Sequence, residues 1–262
     1  MRRINFSILA IVLLFVFSNC SDYNVLIKGD DYEAKFDAAN DFFEDKKYDR
    51  CIVLYEQVYQ HAPKTDQGEV SYYRLAKSYY LLEDYYMAGY YFSAYTQRFP
   101  YSLKNEEALF LSALCSVKNS PNWSLDQTET LIAINNVQDF VDKYPESSLI
   151  DSCNRVIDRL RFKLELKDYN KVLLYAKTEN FRSAITAADL FLNAYPRSIY
   201  CEQINYLAIT NNLQLANNSI ESKKNDRIDQ TIERYRNFVA TYPNSIYLKE
   251  LNQLNSKISS SH

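Results

Sequence analysis

From about residue 31 onward, apolar residues return every three or four positions, the spacing that gathers them on one face of an α-helix. One frame recurs inside this pattern. In the segment Asp84–Ser102, Ala88 is followed by Phe92 at +4, Tyr95 at +7 and Pro100 at +12. The same spacing holds for Cys51, Tyr55, Val58 and Pro63, for Ala133, Val137, Phe140 and Pro145, for Ala184, Ala188, Phe191 and Pro196, and for Thr231, Tyr235, Phe238 and Pro243. The small residue lets a neighbouring helix come close, and the apolar residues one and two turns later form the buried face. The proline ends the helix, because it has no backbone N–H to donate. Two residues beyond each proline stands a hydroxyl: Thr65, Ser102, Ser147, Ser198 or Ser245. Each is expected to N-cap the helix that follows. An aromatic residue precedes the proline in four copies, as Phe99, Tyr144, Tyr195 and Tyr242.

This frame resembles the tetratricopeptide repeat. Copy 2 carries the likeness best, with Tyr72, Leu75, Ala76 and Tyr79 at the first-helix positions and Tyr85 three residues before Ala88. Copy 1 offers Ala38, Ala39 and Phe42. The expected fold is all-α, a right-handed α-solenoid of about five tetratricopeptide-like helix pairs with a C-terminal capping helix over 245–258. Successive prolines lie 37, 45, 51 and 47 residues apart, longer than the ~34 of the standard repeat. The later copies carry longer helices or loops, and two insertions are visible. Residues 119–130 (NSPNWSLDQTET) interrupt copy 3, and 147–177 runs without Gly or Pro at helical spacing, as one long connecting helix would. The expected organisation is repeats 1–3 over 31–146, the connecting helix over 147–177, and repeats 4–5 with the cap over 178–262.

The N-terminus follows a different pattern. Arg2 and Arg3 precede an unbroken apolar run, Ile8–Phe17, and then Ser18, Asn19 and Cys20. The run is far short of the ~20 residues that cross a bilayer, so residues 1–19 read as a signal peptide. Phe17-Ser18-Asn19-Cys20 resembles a relaxed lipobox, which makes Cys20 the expected lipid attachment site and 20–30 a polar tether. The mature chain would then be anchored to a membrane rather than pass through it.

Composition narrows the chemistry. A formal net charge of −3 excludes the basic field of a nucleic-acid binder. With 3 Gly, few tight turns and no phosphate-cradling loop are expected, while 24 Tyr suit wet helix packing or a peptide-gripping surface. Cys51, Cys115, Cys153 and Cys201 sit in helical patterns without a CxxC, so buried thiols are expected rather than metal ligands or disulfides. The two histidines are His61, just before Ala62-Pro63, and His262 at the end. No nucleotide, zinc-protease or dinucleotide motif is present. No catalytic residue, metal or cofactor is expected, and a binding role fits better than an enzyme.

Taken together, the signal segment, Cys20, a short tether, five divergent repeats, the segment SLDQTET before Ala133 and the recurring YPxS corners resemble the BamD family of outer-membrane protein assembly factors. That resemblance implies an outer-membrane lipoprotein, its Cys20 lipid a palmitate-bearing anchor, facing the periplasm within a Bam complex. It implies binding to the periplasmic domains of a BamA-type barrel protein through the C-terminal repeats, and reception of unfolded outer-membrane proteins by the N-terminal repeats. In a tetratricopeptide frame the first helices line the groove. This places Phe36, Asp37, Asn40 and Phe43 of copy 1 and Tyr73, Arg74, Lys77 and Tyr80 of copy 2 as the substrate-peptide surface, with Arg74 or Lys77 pairing a peptide carboxylate. Arg197, Tyr200, Arg234 and Tyr235 are the candidate partner contacts. A different lipid-anchored scaffold, in cell-envelope coordination or nutrient uptake, is the competing expectation. The anchor is tested by Cys20→Ala, which should move the protein from the membrane to the soluble periplasmic fraction; retention in the membrane pellet contradicts it.

Overall fold

The computed structural model describes residues 23–261, and every regular element among them is an α-helix. Cys20 and the signal segment lie outside the described residues. After a helical stretch at 23–28 come α1 (Tyr32–Glu44), α2 (Tyr48–His61), α3 (Asp66–Leu81), α4 (Tyr85–Arg98), α5 (Asn105–Asn119) and α6 (Thr128–Lys143). The long α7 (Ile150–Lys177) follows, then α8 (Phe181–Ala194), α9 (Cys201–Asn217), α10 (Glu221–Thr241) and α11 (Leu248–Ser261). They form successive helix hairpins of tetratricopeptide type, closed by α11. No described helix is long and apolar enough to cross a membrane.

The chain divides into two compact units. Unit 1 extends to Pro121 and resumes over Asp126–Ile157; unit 2 takes Asn122–Leu125 and everything from Asp158. The division therefore falls inside α7. Unit 1 is built on a cluster that includes Tyr55, Tyr72, Leu75, Ala88, Phe92, Tyr95 and Leu111. In unit 2, Val172, Ala187, Ala188, Phe191, Ile204 and Ala208 form one cluster, and Ile209, Phe238 and Leu251 another.

The repeated frame has a direct structural meaning. Its small residues Cys51, Ala88, Ala133, Ala184 and Thr231 are each at most 2% exposed. The +7 residues Val58, Tyr95, Phe140, Phe191 and Phe238 are equally buried. The +4 residue follows suit except in the last copy, where Tyr235 is half-buried and its hydroxyl donates to Asn252 Oδ1 at 2.7 Å.

The corner before each proline is equally regular. Ala62, Phe99, Tyr144, Tyr195 and Tyr242 all leave the helix at φ between −124° and −135° and ψ between 60° and 64°. A following proline excludes the α region for the residue before it, which sets this exit. Each of the five still donates its N–H to the carbonyl four residues back. In the four aromatic copies the ring also lies against the buried ring one turn earlier, with centroids 5.0–5.5 Å apart.

Two sequence expectations are corrected here. Of the five hydroxyl residues that follow the prolines, only Thr65 is a true N-cap, accepting from Gly68 N at 3.1 Å. Ser102, Ser147, Ser198 and Ser245 instead accept from the N–H two residues on, at 3.0–3.2 Å. An extra turn separates these serines from the next helix, so they close the corner and not the helix end. Tight turns also occur without glycine. Lys46, Glu83 and Glu179 adopt φ of 58–61° in the loops α1–α2, α3–α4 and α7–α8. In each, the flanking N–H groups reach back as in a Schellman motif, for example Glu83 N to Tyr80 O and Asp84 N to Tyr79 O. The hydrogen bonds offset the ~1–2 kcal/mol that a left-handed non-glycine residue costs.

The four cysteines of the described residues are free and buried. Gly68 is the one glycine the corner requires, since a Cβ there would stand 2.1 Å from the Ala62 carbonyl oxygen. Gly68→Ala should therefore lower unfolding free energy by ~1–3 kcal/mol, read as a fall in thermal midpoint by circular dichroism. An unchanged midpoint contradicts the geometry of the first corner.

Candidate functional site

The helix-period face of α1 and α3 brings the expected groove residues of unit 1 together, and most of them are already engaged. Arg74 Nη1 donates to Asn40 Oδ1 at 2.8 Å and to the Tyr55 hydroxyl at 3.3 Å, while that hydroxyl itself donates to Asn40 Oδ1 at 2.8 Å. The guanidinium lies 5.1 Å from the Phe43 ring centroid and 3.9 Å from Glu44. A turn further along, Lys77 and Lys104 converge on Glu107, at 3.4 and 3.0 Å. The Lys77 ammonium also stands 5.9 Å over Tyr80, and that of Lys104 5.5 Å over Tyr73.

Tyr73 serves both core and face. Its ring meets Phe92 and Tyr95 edge-on, and its buried hydroxyl makes no hydrogen bond of normal geometry while facing Glu107. Burial, then the neighbouring carboxylate, raise its ionisation. Burial alone would raise the Glu107 carboxyl too, but Tyr73, Lys104 and Lys77 together hold it below its ordinary value. Phe36, Phe43, Tyr73 and Tyr80 are partly buried against the unit 1 core, and Asp37 is exposed. The face thus presents aromatic edges around two cationic positions, each neutralised from within.

In unit 2 three of the four expected partner residues have internal roles. Arg234 makes a two-point ion pair with Asp189, at 2.8 and 2.7 Å. Tyr235 is tied to Asn252, and Tyr200 stacks on Tyr169 with centroids 4.0 Å apart. Arg197 is exposed on the corner between α8 and α9. Beside it stands a residue that the repeat frame had passed over. Ile199 is 80% exposed, Ile246 at the matching place of the next corner is 84% exposed, and Leu103 in unit 1 is fully so. Each directly follows its corner serine. The signal was visible in SIY, SIY and SLK, but an aliphatic after the corner reads as the first buried residue of the next helix. The extra turn found at these corners points it to solvent instead.

His61 stacks flat on Tyr32 at 3.7 Å. Burial pushes the Cys115 thiol up to about 12 and raises Cys51, so neither is an activated nucleophile. Among the described residues no group of three His, Cys, Asp or Glu could hold a metal ion.

The loop between α5 and α6 is ordered by its own polar residues. Asp126 Oδ1 accepts from Thr128 N at 2.9 Å, Thr130 donates to Gln127 Oε1 at 2.8 Å, and Ser120 and Thr130 hydroxyls lie 2.6 Å apart. Its tip carries the only Trp, Trp123, and the Leu125 carbonyl accepts from Lys167 of α7.

Repeated helix hairpins with this corner define a tetratricopeptide-type fold. The sequence model of YfiO, an outer membrane lipoprotein, matches residues 29–185 and 168–259. The chain belongs to that family of outer membrane lipoproteins, the BamD type. The crystal structure of a thermophilic TPR protein of Thermus thermophilus aligns over 87% of this chain and 98% of its own, at 12% identity and a TM-score of 0.32. No protein with a curated description matches.

Buried and half-buried tyrosines give the fold a defined alkaline limit. Burial is the main cause that pushes Tyr55, Tyr91 and Tyr206 up to about 12, from an ordinary value of 10.0. The fold favours the protonated phenol, so this contribution is whole below pH ~10 and fades between pH ~10 and ~12, as the unfolded chain releases its protons first. Thermal midpoints should hold steady to pH ~9.5 and fall beyond it; midpoints level through pH ~11 contradict these burials.

Proposed function

We propose that this protein is the lipid-anchored, periplasm-facing subunit of an outer-membrane β-barrel assembly machine. In this reading Cys20 carries the lipid, unit 2 binds the periplasmic domains of a BamA-type barrel protein, and unit 1 receives unfolded outer-membrane proteins. Membership of the YfiO family supports the setting. The observation that carries the docking role is the exposure of Ile199 and Ile246 at matching corners of unit 2, with Arg197 beside the first. Exposed aliphatics beside an arginine have the makeup of an interface centre. Tyr200, Arg234 and Tyr235 then support the partner surface from behind, by fixing α9 and α10.

For the client, the inner face of unit 1 offers Phe36, Phe43, Tyr73 and Tyr80 edges with Arg74 and Lys77 between them. An extended strand ending in an aromatic residue and a free carboxylate has the matching chemistry. Asp37 and Asn40 supply polar contacts at the α1 end.

Purification of the tagged protein from detergent-solubilised outer membranes tests the assembly. A BamA-type barrel protein should co-elute with the wild type and be lost with Ile199→Asp and Ile246→Asp combined. Its absence from the wild-type eluate, or its persistence with the double variant, contradicts the reading. Lys77→Gln should weaken binding of a peptide with a C-terminal aromatic residue several-fold and leave that of its carboxamide unchanged; equal effects on both contradict the client site.

A further inference from the structure

A second cleft opens in unit 1 between α4, α5 and α6, lined by residues that the inner face does not use. Its volume is about 320 Å³, and it exists because its floor is small. Gly89, Ser112, Ala113 and Ser116 contribute little bulk there, and a Cβ on Gly89 would come within 3.2 Å of the Cys115 Cβ. Ser112 Oγ donates to the Gly89 carbonyl at 3.2 Å, and Asn136 Nδ2 to Ser116 Oγ at 2.6 Å, so the floor is held by its own hydrogen bonds.

The two walls differ in chemistry. On the α4 side Tyr86 and Tyr90 are 65% and 63% exposed, an unusual pair of rings standing in water. On the α6 side are Glu129 and Asp139. Neither carboxylate takes part in an ion pair among the described residues, in contrast to Glu107 on the inner face, which holds two lysines. Lys118 at the edge of the cleft already stands 5.6 Å over the Tyr85 ring. Exposed tyrosine rings on one wall and carboxylates without an ion-pair partner on the other have the makeup of a second cation site, since ring faces attract cations and carboxylates offer charge-assisted hydrogen bonds.

We propose that this cleft docks an extended segment of a partner protein that inserts an arginine or lysine side chain, flanked by apolar residues, between Tyr86 and Tyr90 on one wall and Glu129 and Asp139 on the other. The charge complementarity sets the sign of the ligand. The small floor admits an aliphatic stem, and the exposed rings cover the flanking apolar residues. The site is separate from both surfaces of the proposed function.

The test uses the full chain in detergent and fluorescein-labelled pentapeptides Gly-Leu-Xaa-Leu-Gly, with Xaa Arg, norleucine or Glu, followed by fluorescence anisotropy. The Arg peptide should bind at least about tenfold more tightly than the other two, and more weakly as salt rises. Glu129→Gln with Asp139→Asn should remove that preference, and Ser112→Leu, which fills the floor, should weaken binding with all charges kept. Circular dichroism confirms that each variant is folded. Equal binding of the three peptides, no binding of any, or an Arg preference that survives loss of both carboxylates overturns the proposal.

Discussion

At Ala88 a helix buries nothing larger than a methyl group against its neighbours, and four equivalent positions in the chain bury similarly small side chains, those of Cys51, Ala133, Ala184 and Thr231. Close approach is what allows the +7 side chain, two turns on, to reach a fully buried site. A bulkier residue would hold the helices apart and leave Tyr95 or Phe140 facing a gap; interiors tolerate such loss of contact poorly. The rest of each hairpin follows from this crossing. The proline stops the helix a fixed distance beyond it, and the residue before the proline turns the chain at nearly the same φ and ψ each time. In four copies the turning residue is an aromatic whose ring covers the buried ring below it.

A scaffold of this kind separates stability from function in an instructive way. Buried faces are used up in crossings and corners, so binding must come from what remains on the helix faces and corner tips. In unit 1 the inner face has closed its charges into the Arg74 and Glu107 networks. The cleft of α4, α5 and α6 has kept its carboxylates unpaired and its tyrosines wet. The corner tips of unit 2 show Ile199 and Ile246. These three surfaces thus differ in sign and polarity.

Much of this was legible in the sequence because the crossing and the corner are local. A small residue, two apolar residues at one-turn spacing and a proline are set by helix geometry alone, and all five frames appear in the structure at the places read. The lack of Gly and Pro over 150–177 accounts in the same local way for the unbroken α7. The serine corners were not legible, since N-cap and corner-closing serines use the same residue type and differ only in where the helix begins. The left-handed Lys46, Glu83 and Glu179 escaped for a related reason: their stabilisation lies in backbone hydrogen bonds, which leave no trace in side-chain type. Site residues were hardest. Arg234 and Tyr200 looked free along the sequence, and their partners Asp189 and Tyr169 lie 45 and 31 positions away.

The most direct measurement is the urea stability of Ala88→Leu compared with that of Ala194→Leu, whose site is exposed at the end of α8. If close crossing governs the fold, Ala88→Leu lowers the unfolding free energy by ~1–3 kcal/mol, while Ala194→Leu stays within ~0.5 kcal/mol of the parent. Equal stability of the two variants would contradict the crossing, and with it the placing of every surface built upon it.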